Sequence, residues 1–501
     1  MAKSKKNNKF FIVLKKDYIY FLATIHYFFR NKIFLKHFGF IYLLYFIGIF
    51  GLLVADIYHR DDIWRMQQGN PNFLPESRHL SQALAYFFHT SYPKIADISP
   101  LSQLIAIIFL SIASMALVKI INKKITYSGL IASLLLGLNP WYLQCLSYKY
   151  DCIYMSLATL CVIFPFLFRK RANLFFIISV FLLVCMWNLY QTNNGIYIVI
   201  AFFIVTNLII QKINLKEIFK FLLISALAFV IASLIYKFLF FVEPKVDSYM
   251  ARYSAIDINM FFTNIKHLFS KINANIGNHI IKYLFLILMI FSAISIFQRR
   301  KANFIITALS IFIFLSTGLI ASYGAYLILA KFDQQARAIS QIGSFLAIVA
   351  ITAVSQKQKI LKFLSKCIVI YMSYCLIIVS NTYANAFDMQ EKFDQYRLNL
   401  MMKDLKNLLP IDTKDKITVF ITSKRSVIAE PYKKIYKNVL PLFSELTGQI
   451  VHQSIYQLRY KGINTAKKTC KKENEKPKKV VETRFHKIEV FEDNCYEIAF
   501  K

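Results

Sequence analysis

Apolar residues in this chain come in long unbroken runs rather than in alternation, at about 38–56, 101–121, 125–139, 152–168, 173–189, 195–211, 217–241, 280–297, 303–323, 337–355 and 366–383. Each is near the roughly 20 residues that a helix needs to cross about 30 Å of hydrocarbon. The pattern therefore predicts about eleven transmembrane helices. The stretch YIYFLATIHYFF at 18–29 lies between Asp17 and Arg30 and is too short to cross, so it reads as an interfacial helix. The segment before it, MAKSKKNNKFFIVLKK, is basic but has no small-residue cleavage site; no removable signal peptide is expected.

The connections between runs alternate in character. Lys123 and Lys124, the RKR at 169–171, Lys212 with Lys216 and Lys220, the RRK at 299–301 and SQKQK at 355–359 fall on one side. The positive-inside rule makes that side, with the N-terminus, cytoplasmic. The other side receives residues 57–100, 140–151, 190–194, 242–279, 324–336 and everything after about 384, so the long polar loops share one face. Three parts result: a basic and interfacial segment (1–37), a multi-span domain (38–383) with an external loop at 57–100, and an external C-terminal domain (384–501).

Within the first external loop, Leu80, Ala83, Leu84, Phe87 and Phe88 follow helical spacing, with Ser77 as a candidate N-cap after Pro75. This helix should lie flat among lipid headgroups. In DISPLSQ (97–103), Ser99 can cap and Pro100 can take the first helical position of the next span. Asp97 reads more simply as a cap or dipole partner than as a catalytic group. After 384, EKFDQYRLNLMMKDLKNLLP reads as an external helix ended by Pro410, and KITVFITS, HKIEVFED and CYEIAF as short strands. The expected fold is an all-α polytopic membrane protein with a small mixed α/β domain outside.

Composition agrees: 57% of the 501 residues are hydrophobic, 18% are charged, and mean hydropathy is +0.46. The formal charge of +34 would suggest nucleic acid if the cations formed one patch, but they are scattered in short clusters between runs, so no nucleic-acid partner is expected. Membrane lipids are the expected surroundings. Cys470 and Cys495 are the cysteines of the external tail and can pair in an oxidising compartment; the other six lie in or beside spans as small apolar filler.

Three external stretches carry polar groups that a lipid-facing chain would avoid. In RDDIWR, Asp61 and Asp62 point about 100° apart on a helix, and Arg65 can pair with either at i+4 or i+3. One carboxylate is then structural and the other free, although a solvated ion-pair cluster explains the same residues. NPWYLQCLSYKYD (139–151) crowds Tyr148, Lys149, Tyr150 and Asp151 before a span, or forms an aromatic belt with a snorkelling lysine. YQTNN (190–194) offers Tyr190 and Gln191 for hydrogen bonds to a sugar, or is an ordinary turn. In KFDQQARAI (331–339), Lys331, Asp333 and Arg337 sit at a span mouth, where a fixed cation suits a lipid-linked phosphate.

In this order the stretches resemble the serotype-converting type II membrane glucosyltransferases that modify bacterial O-antigen. The resemblance runs through DDIWR with the following Gly69 and SRHL, DISPLSQ, NPWYLQCLSYKYD with MSLA and PFLF, LYQ at 189–191, ARAI and the YANAF after the last run, over about the first 390 residues. His79 stands where the family pattern has Pro, and Lys149 where Arg is common; these departures bear on acceptor contacts and sugar identity more than on fold.

The resemblance implies a GT-C-type transferase in the bacterial inner membrane. It would move a hexose, glucose in this family, from a polyprenyl-phosphate carrier to a surface glycan such as lipopolysaccharide O-antigen, served by a donor synthase and a donor flippase. A sugar hydroxyl is a poor nucleophile, so an external carboxylate is expected as general base: Asp62, or failing it Asp61. The leaving phosphate needs cations, for which Arg65, Arg78, Lys149 and Arg337 are candidates, while Tyr148, Asp151, Tyr190 and Gln191 are candidate sugar or acceptor contacts. One-step displacement inverts the anomeric centre. No cofactor is expected; no metal-ligand spacing stands out, and a DD pair alone is too common to argue a divalent metal. A flippase should bury charges along a conduit, whereas here they sit at span ends, with Lys237 the main exception and close to the external end of its run. A glycan polymerase should carry its functional residues in large central loops, yet the densest polar stretch follows the first run.

Overall fold

The computed structural model describes residues 2–29, 32–243, 255–276, 279–333, 335–409, 417–423, 458, 465–466, 476–492 and 495–501. Its helices in chain order are α1 (Ala2–Phe29), α2 (Lys32–Ala55), α3 (Asp61–Gln68), α4 (His79–Phe88), α5 (Leu101–Asn122), α6 (Tyr127–Ser133), α7 (Tyr142–Ser147), α8 (Cys152–Ile163), α9 (Ala172–Leu189), α10 (Asn194–Ile210), α11 (Leu215–Leu239), α12 (Phe261–Ile276), α13 (Ile280–Phe297), α14 (Phe304–Ala321), α15 (Ile342–Ala353) and α16 (Lys359–Leu408). Among the described residues, α2, α5, α9, α10 with the turn before it, α11, α13, α14 and α16 are long and apolar enough to cross a membrane. The chain is thus a multi-pass membrane protein.

The three remaining apolar runs form shorter helical segments, Tyr127–Leu136, Cys152–Phe168 and Ile342–Ala353. Every residue of α15 is buried. A helix walled in by protein need not match the bilayer thickness, and Pro165 turns the end of the α8 run into a 3-10 segment, Phe164–Phe168. The outer helices instead present exposed apolar residues, Phe219, Val230 and Phe238 on α11 and Ile305 and Phe312 on α14, as a lipid-facing surface would. Where α10 begins, Gly195 lies against the end of α14; a Cβ there would be 1.9 Å from the Ser322 carbonyl oxygen, so only glycine fits.

The basic loops do share one end of the bundle. Arg169 Nη2 donates to the Ile120 carbonyl (3.3 Å), Gln211 Nε2 to that of Arg299 (2.8 Å), Ser355 Oγ to Asn122 Oδ1 (2.6 Å) and Lys357 N to Gln298 Oε1 (2.8 Å). Helix α1 docks at this end: Phe21 stacks on Phe168 at 5.5 Å, and Asp17 lies 4.0 Å from Arg171. It is a single helix from Ala2, longer than the interfacial segment expected at 18–29.

At the other end, the chain between α2 and α5 folds as α3, a 3-10 turn (Leu74–Glu76) and α4. The outward face of α4 is apolar, with Phe87 71% exposed, whereas Ser81, Gln82 and Ala85 pack inward. That is the polarity of a helix lying at a membrane surface. Ser77 does not cap it. Arg78 holds the cap position without a side-chain bond, and the Ser77 hydroxyl accepts from Val242 N (2.9 Å), because positive φ at Ser77 turns the side chain away from α4. Nor does Ser99 cap α5: Pro100 is its N-cap and Leu101 its first residue.

The last apolar run and the expected external helix are one 50-residue helix, α16. Between Tyr383 and Leu408 there is no glycine or proline to stop it. Its far end packs Leu398, Met401, Met402 and Leu405 against a mixed sheet in the order β2-β1-β5-β4-β3: β1 (Ile417–Ser423), β2 (Thr465–Ala466), β3 (Lys479–Glu482), β4 (His486–Phe491) and β5 (Cys495–Phe500). Strand β1 runs parallel to β2 and β5, and β4 antiparallel to β3 and β5. The three strands read from sequence are β1, β4 and β5.

Candidate active site

The loop after α2 is held in an unusual backbone. Asp56, Arg60, Asn72, Ser77 and Thr90 all have φ between 46° and 58°, a region that costs energy for residues with a side chain. Of these, Ser77 is buried and its hydroxyl accepts from Val242 N, while Asp56, Asn72 and Thr90 are exposed.

The two neighbouring aspartates differ completely. Asp62 is fully buried, and its carboxylate accepts the backbone N–H of His59 (3.1 Å), Lys149 (2.9 Å) and Tyr150 (3.3 Å), so it ties the start of α3 to the YKYD segment. Burial pushes its carboxyl up to about 7, against the pull of those N–H groups and of Arg65. Asp61, one residue earlier, is exposed and makes no hydrogen bond or ion pair among the described residues.

Arg65 pairs with neither. Its Nη1 meets Asp151 and its Nε donates to the Pro71 carbonyl (3.0 Å). Pairing at i+3 or i+4 is overridden because the guanidinium points into the protein, where a fully buried carboxylate demands it. Arg78 Nη1 takes the other Asp151 oxygen (2.8 Å) and Glu76 Oε2 (3.1 Å), while Nε donates to the Leu189 carbonyl (2.6 Å). Phe73 lies beneath both cations, 4.5 and 4.7 Å from its ring centre. Asp151 is therefore the centre of a buried cluster. Burial alone would raise Glu76, but Arg78, Arg65 and Arg337 hold it below the ordinary carboxylate range.

Lys149 is buried too. Its Nζ binds Asp56 Oδ1 (2.6 Å), lies 3.6 Å from Asp97 and sits over the Tyr58 ring at 3.9 Å. Asp97 also accepts from Ser99 N (2.8 Å), a local turn bond. Arg337 is half-buried over the Tyr148 ring (4.9 Å); its N–H donates to Gln144 Oε1 (2.7 Å) and its carbonyl accepts from Tyr190 Oη (3.3 Å). His59 packs edge-on to Tyr148 at 4.5 Å, and burial holds its imidazole well below its ordinary value, keeping it neutral. Gln191 Nε2 donates to the Glu76 carbonyl (3.0 Å) and to Tyr236 Oη (3.1 Å).

All ten predicted site residues thus gather at the end opposite the basic loops, nine of them linked through Asp62, Asp151 and Tyr148 and the tenth, Asp61, exposed beside Asp62. Sequence reading missed Glu76, Tyr236, Gln144 and the buried His59. Glu76 stands directly between Pro75 and the SR pair, but a lone carboxylate in a turn has no periodicity to mark it. Beside Glu76 opens a cavity of about 480 Å³, the size of a small-ligand pocket. Among the described residues no three His, Cys, Asp or Glu side chains form a metal-ligand group. Cys495 is disulfide-bonded, and Cys470 lies outside the described residues.

Residues 50–354 match the family model described as Glucosyl transferase GtrII. The chain is also similar to an uncharacterized 55.3 kDa protein in the gtrB 5′ region of Salmonella phage P22, 24% identical over 223 residues, or 43% of this chain and 46% of that protein. The match spans about half the length of that curated relative. No solved structure matches. The family match covers most of the helical bundle and every residue of the polar cluster just described, and on it the chain belongs to the GtrII glucosyl transferase family.

Proposed function

We propose that this protein transfers one glucose from a polyprenyl-phosphate carrier to a surface glycan, lipopolysaccharide O-antigen by family, on the outer face of the bacterial inner membrane. The basic end of the bundle is cytoplasmic and the C-terminal domain external, in line with the distribution of cations between the two ends. A synthase that loads the carrier and a flippase that turns it outward supply the donor.

The observation that carries the mechanism is the contrast between the two aspartates. A general base must reach its proton, directly or through one water. Asp62 has both oxygens engaged by backbone N–H groups and no exposed surface, which suits a structural tie. Asp61 is exposed and unpaired, in the electrostatic neighbourhood of Tyr148, over which Arg337 lies. Asp61 is the base in this reading. It takes the proton of an acceptor hydroxyl as that oxygen bonds to the anomeric carbon. The carbon–oxygen bond to phosphate breaks, its electron pair leaves with the phosphate, and the configuration inverts. Arg337 stabilises the leaving anion. Arg65, Arg78 and Lys149, engaged with carboxylates, position the YKYD segment, and Asp151 is their anchor rather than a sugar contact. Tyr148, Tyr190 and Gln191 form the wall facing the sugar.

Mass spectrometry of surface glycans tests this. Cells carrying the protein should show repeat units heavier by one hexose, and Asp61→Asn should lower that fraction by about 100-fold or more at unchanged protein abundance. Full modification with Asp61→Asn would remove Asp61 as the base; no mass difference with the native protein would remove the transferase reading.

A further inference from the structure

The cavity beside Glu76 lies between α9, α11 and the loop after α14. It is lined mainly by apolar groups, among them Trp187, Tyr236 and Leu329, and it carries two charges, Glu76 and Lys237. Lys237 makes no hydrogen bond or ion pair among the described residues, and its neighbours Phe238 and Leu239 are 77% and 72% exposed on the lipid-facing side of α11. Lys237 is itself exposed near the C-terminal end of α11, so its ammonium is open to an incoming anion at the mouth of an otherwise apolar cavity. Trp187 stacks on Tyr236 at 5.6 Å, and its indole N–H is buried without an acceptor. Gln191 pins the Glu76 backbone and Tyr236 together, so the carboxylate is held at the cavity rim. Arg78 beneath Glu76 keeps it ionised, an acceptor for hydroxyl groups.

An apolar chamber, an exposed cation at its mouth and an acceptor carboxylate fit a ligand with three matching parts. We propose that this cavity seats an amphiphile made of an apolar chain, a phosphate and a sugar, with Lys237 on the phosphate and Glu76 on the sugar hydroxyls. The proposal rests on the donor class named above and gives that donor a place. Glu76 is then a specificity-determining residue, because a half-buried carboxylate that loses water to the ligand without gaining its hydroxyl partners penalises the wrong sugar. A nucleotide sugar carries the same phosphate and sugar chemistry but nothing to fill the apolar chamber.

Dissociation constants measured by thermophoresis on the full-length protein in nanodiscs test the proposal with three probes: a short-chain polyprenyl phosphate, the same lipid carrying glucose, and UDP-glucose. Lys237→Ala should weaken both lipids by about tenfold, as loss of one charge-assisted hydrogen bond does, and Lys237→Arg should restore most of it. Glu76→Gln should weaken only the glucosylated lipid, again by about tenfold. Unchanged lipid binding in Lys237→Ala, equal weakening of both lipids by Glu76→Gln, or UDP-glucose binding as tight as the lipids would each overturn it. The two readings fail separately. Lysine-dependent lipid binding with no change in glycan mass would sink glucose transfer and leave the seat. A glycan mass change in a protein that binds neither lipid would sink the seat and leave the transfer.

Discussion

The two ends of the helical bundle are both rich in cations, and they use them differently. At the basic end, arginines end helices: Arg169 donates to the Phe166 and Ile120 carbonyls (both 3.3 Å), and Arg299 to Ser295 Oγ (3.2 Å) and the Ser355 carbonyl. At the opposite end, Arg65 and Arg78 share buried Asp151, and the buried Lys149 reaches the exposed Asp56. The positive-φ residues divide likewise. Lys123 closes α5 and Lys212 follows α10 at the basic end, whereas Asp56, Arg60, Asn72, Ser77 and Thr90 crowd the other. Among the described residues, that end also holds buried polar atoms without partners, Arg78 Nη2 and the hydroxyls of Tyr148, Tyr150 and Tyr154. Capping carbonyls needs only local geometry, while holding buried charge and strain needs the whole fold. The end that carries such costs is where function is expected.

The largest test of this difference removes the centre of the buried cluster. Asp151→Ala leaves Arg65 and Arg78 facing each other without a shared anion, and breaking a buried pair by removing one partner costs about 3–5 kcal/mol. Purified variant protein should unfold at a much lower temperature in detergent, or fail to accumulate. A melting temperature within a degree or so of the native protein would mean that Asp151 is not the anchor.

A smaller effect distinguishes the two aspartates through pH. The Asp62 carboxyl titrates at about 7 in the folded protein against an ordinary 3.8. Between these values the folded state binds more protons than the unfolded one, so this group makes stability fall as pH rises from about 4 to about 7 and has no further effect above that. Asp62→Asn should flatten that part of the pH–stability profile while lowering it throughout, because its amide N–H₂ meets a backbone donor. Asp61→Asn, which removes no hydrogen bond or ion pair among the described residues, should leave the melting temperature near the native value. Equal profiles for native and Asp62→Asn protein would break the assignment of a buried, structural role to Asp62.

How much of this was legible beforehand follows from the range of each interaction. Apolar runs are local, so the helices, and the gathering of basic loops at one end, followed from the chain itself. The short buried helices did not, because hydropathy does not tell a lipid neighbour from a protein one. The fusion of the last span with the helix after it came down to the absence of a breaker, a weaker sign than a change from apolar to polar residues. Helical spacing suggested that Arg65 meets its own helix's aspartates, but it meets Asp151, 86 positions away. Spacing rules see only neighbours one turn off. Glu76 and Lys237 were present in the sequence as a turn residue and a span-end lysine; only the folded chain brings them to one cavity.

The smallest expected effect lies at the basic end and closes the comparison. Arg299→Ala removes bonds to Ser295 and the Ser355 carbonyl that water can largely replace at a partly exposed helix end, so it should cost about 1 kcal/mol or less. A modest fall in melting temperature, with glycan modification at native levels, is the expected result when the variant is assayed beside Asp151→Ala. If Arg299→Ala instead abolished modification in a protein that folds normally, the cations of the basic end would have a functional partner of their own. The division between a capping end and a chemical end would then fail, because charge placement set by topology alone gives no reason for activity to depend on an arginine across the membrane from Asp61.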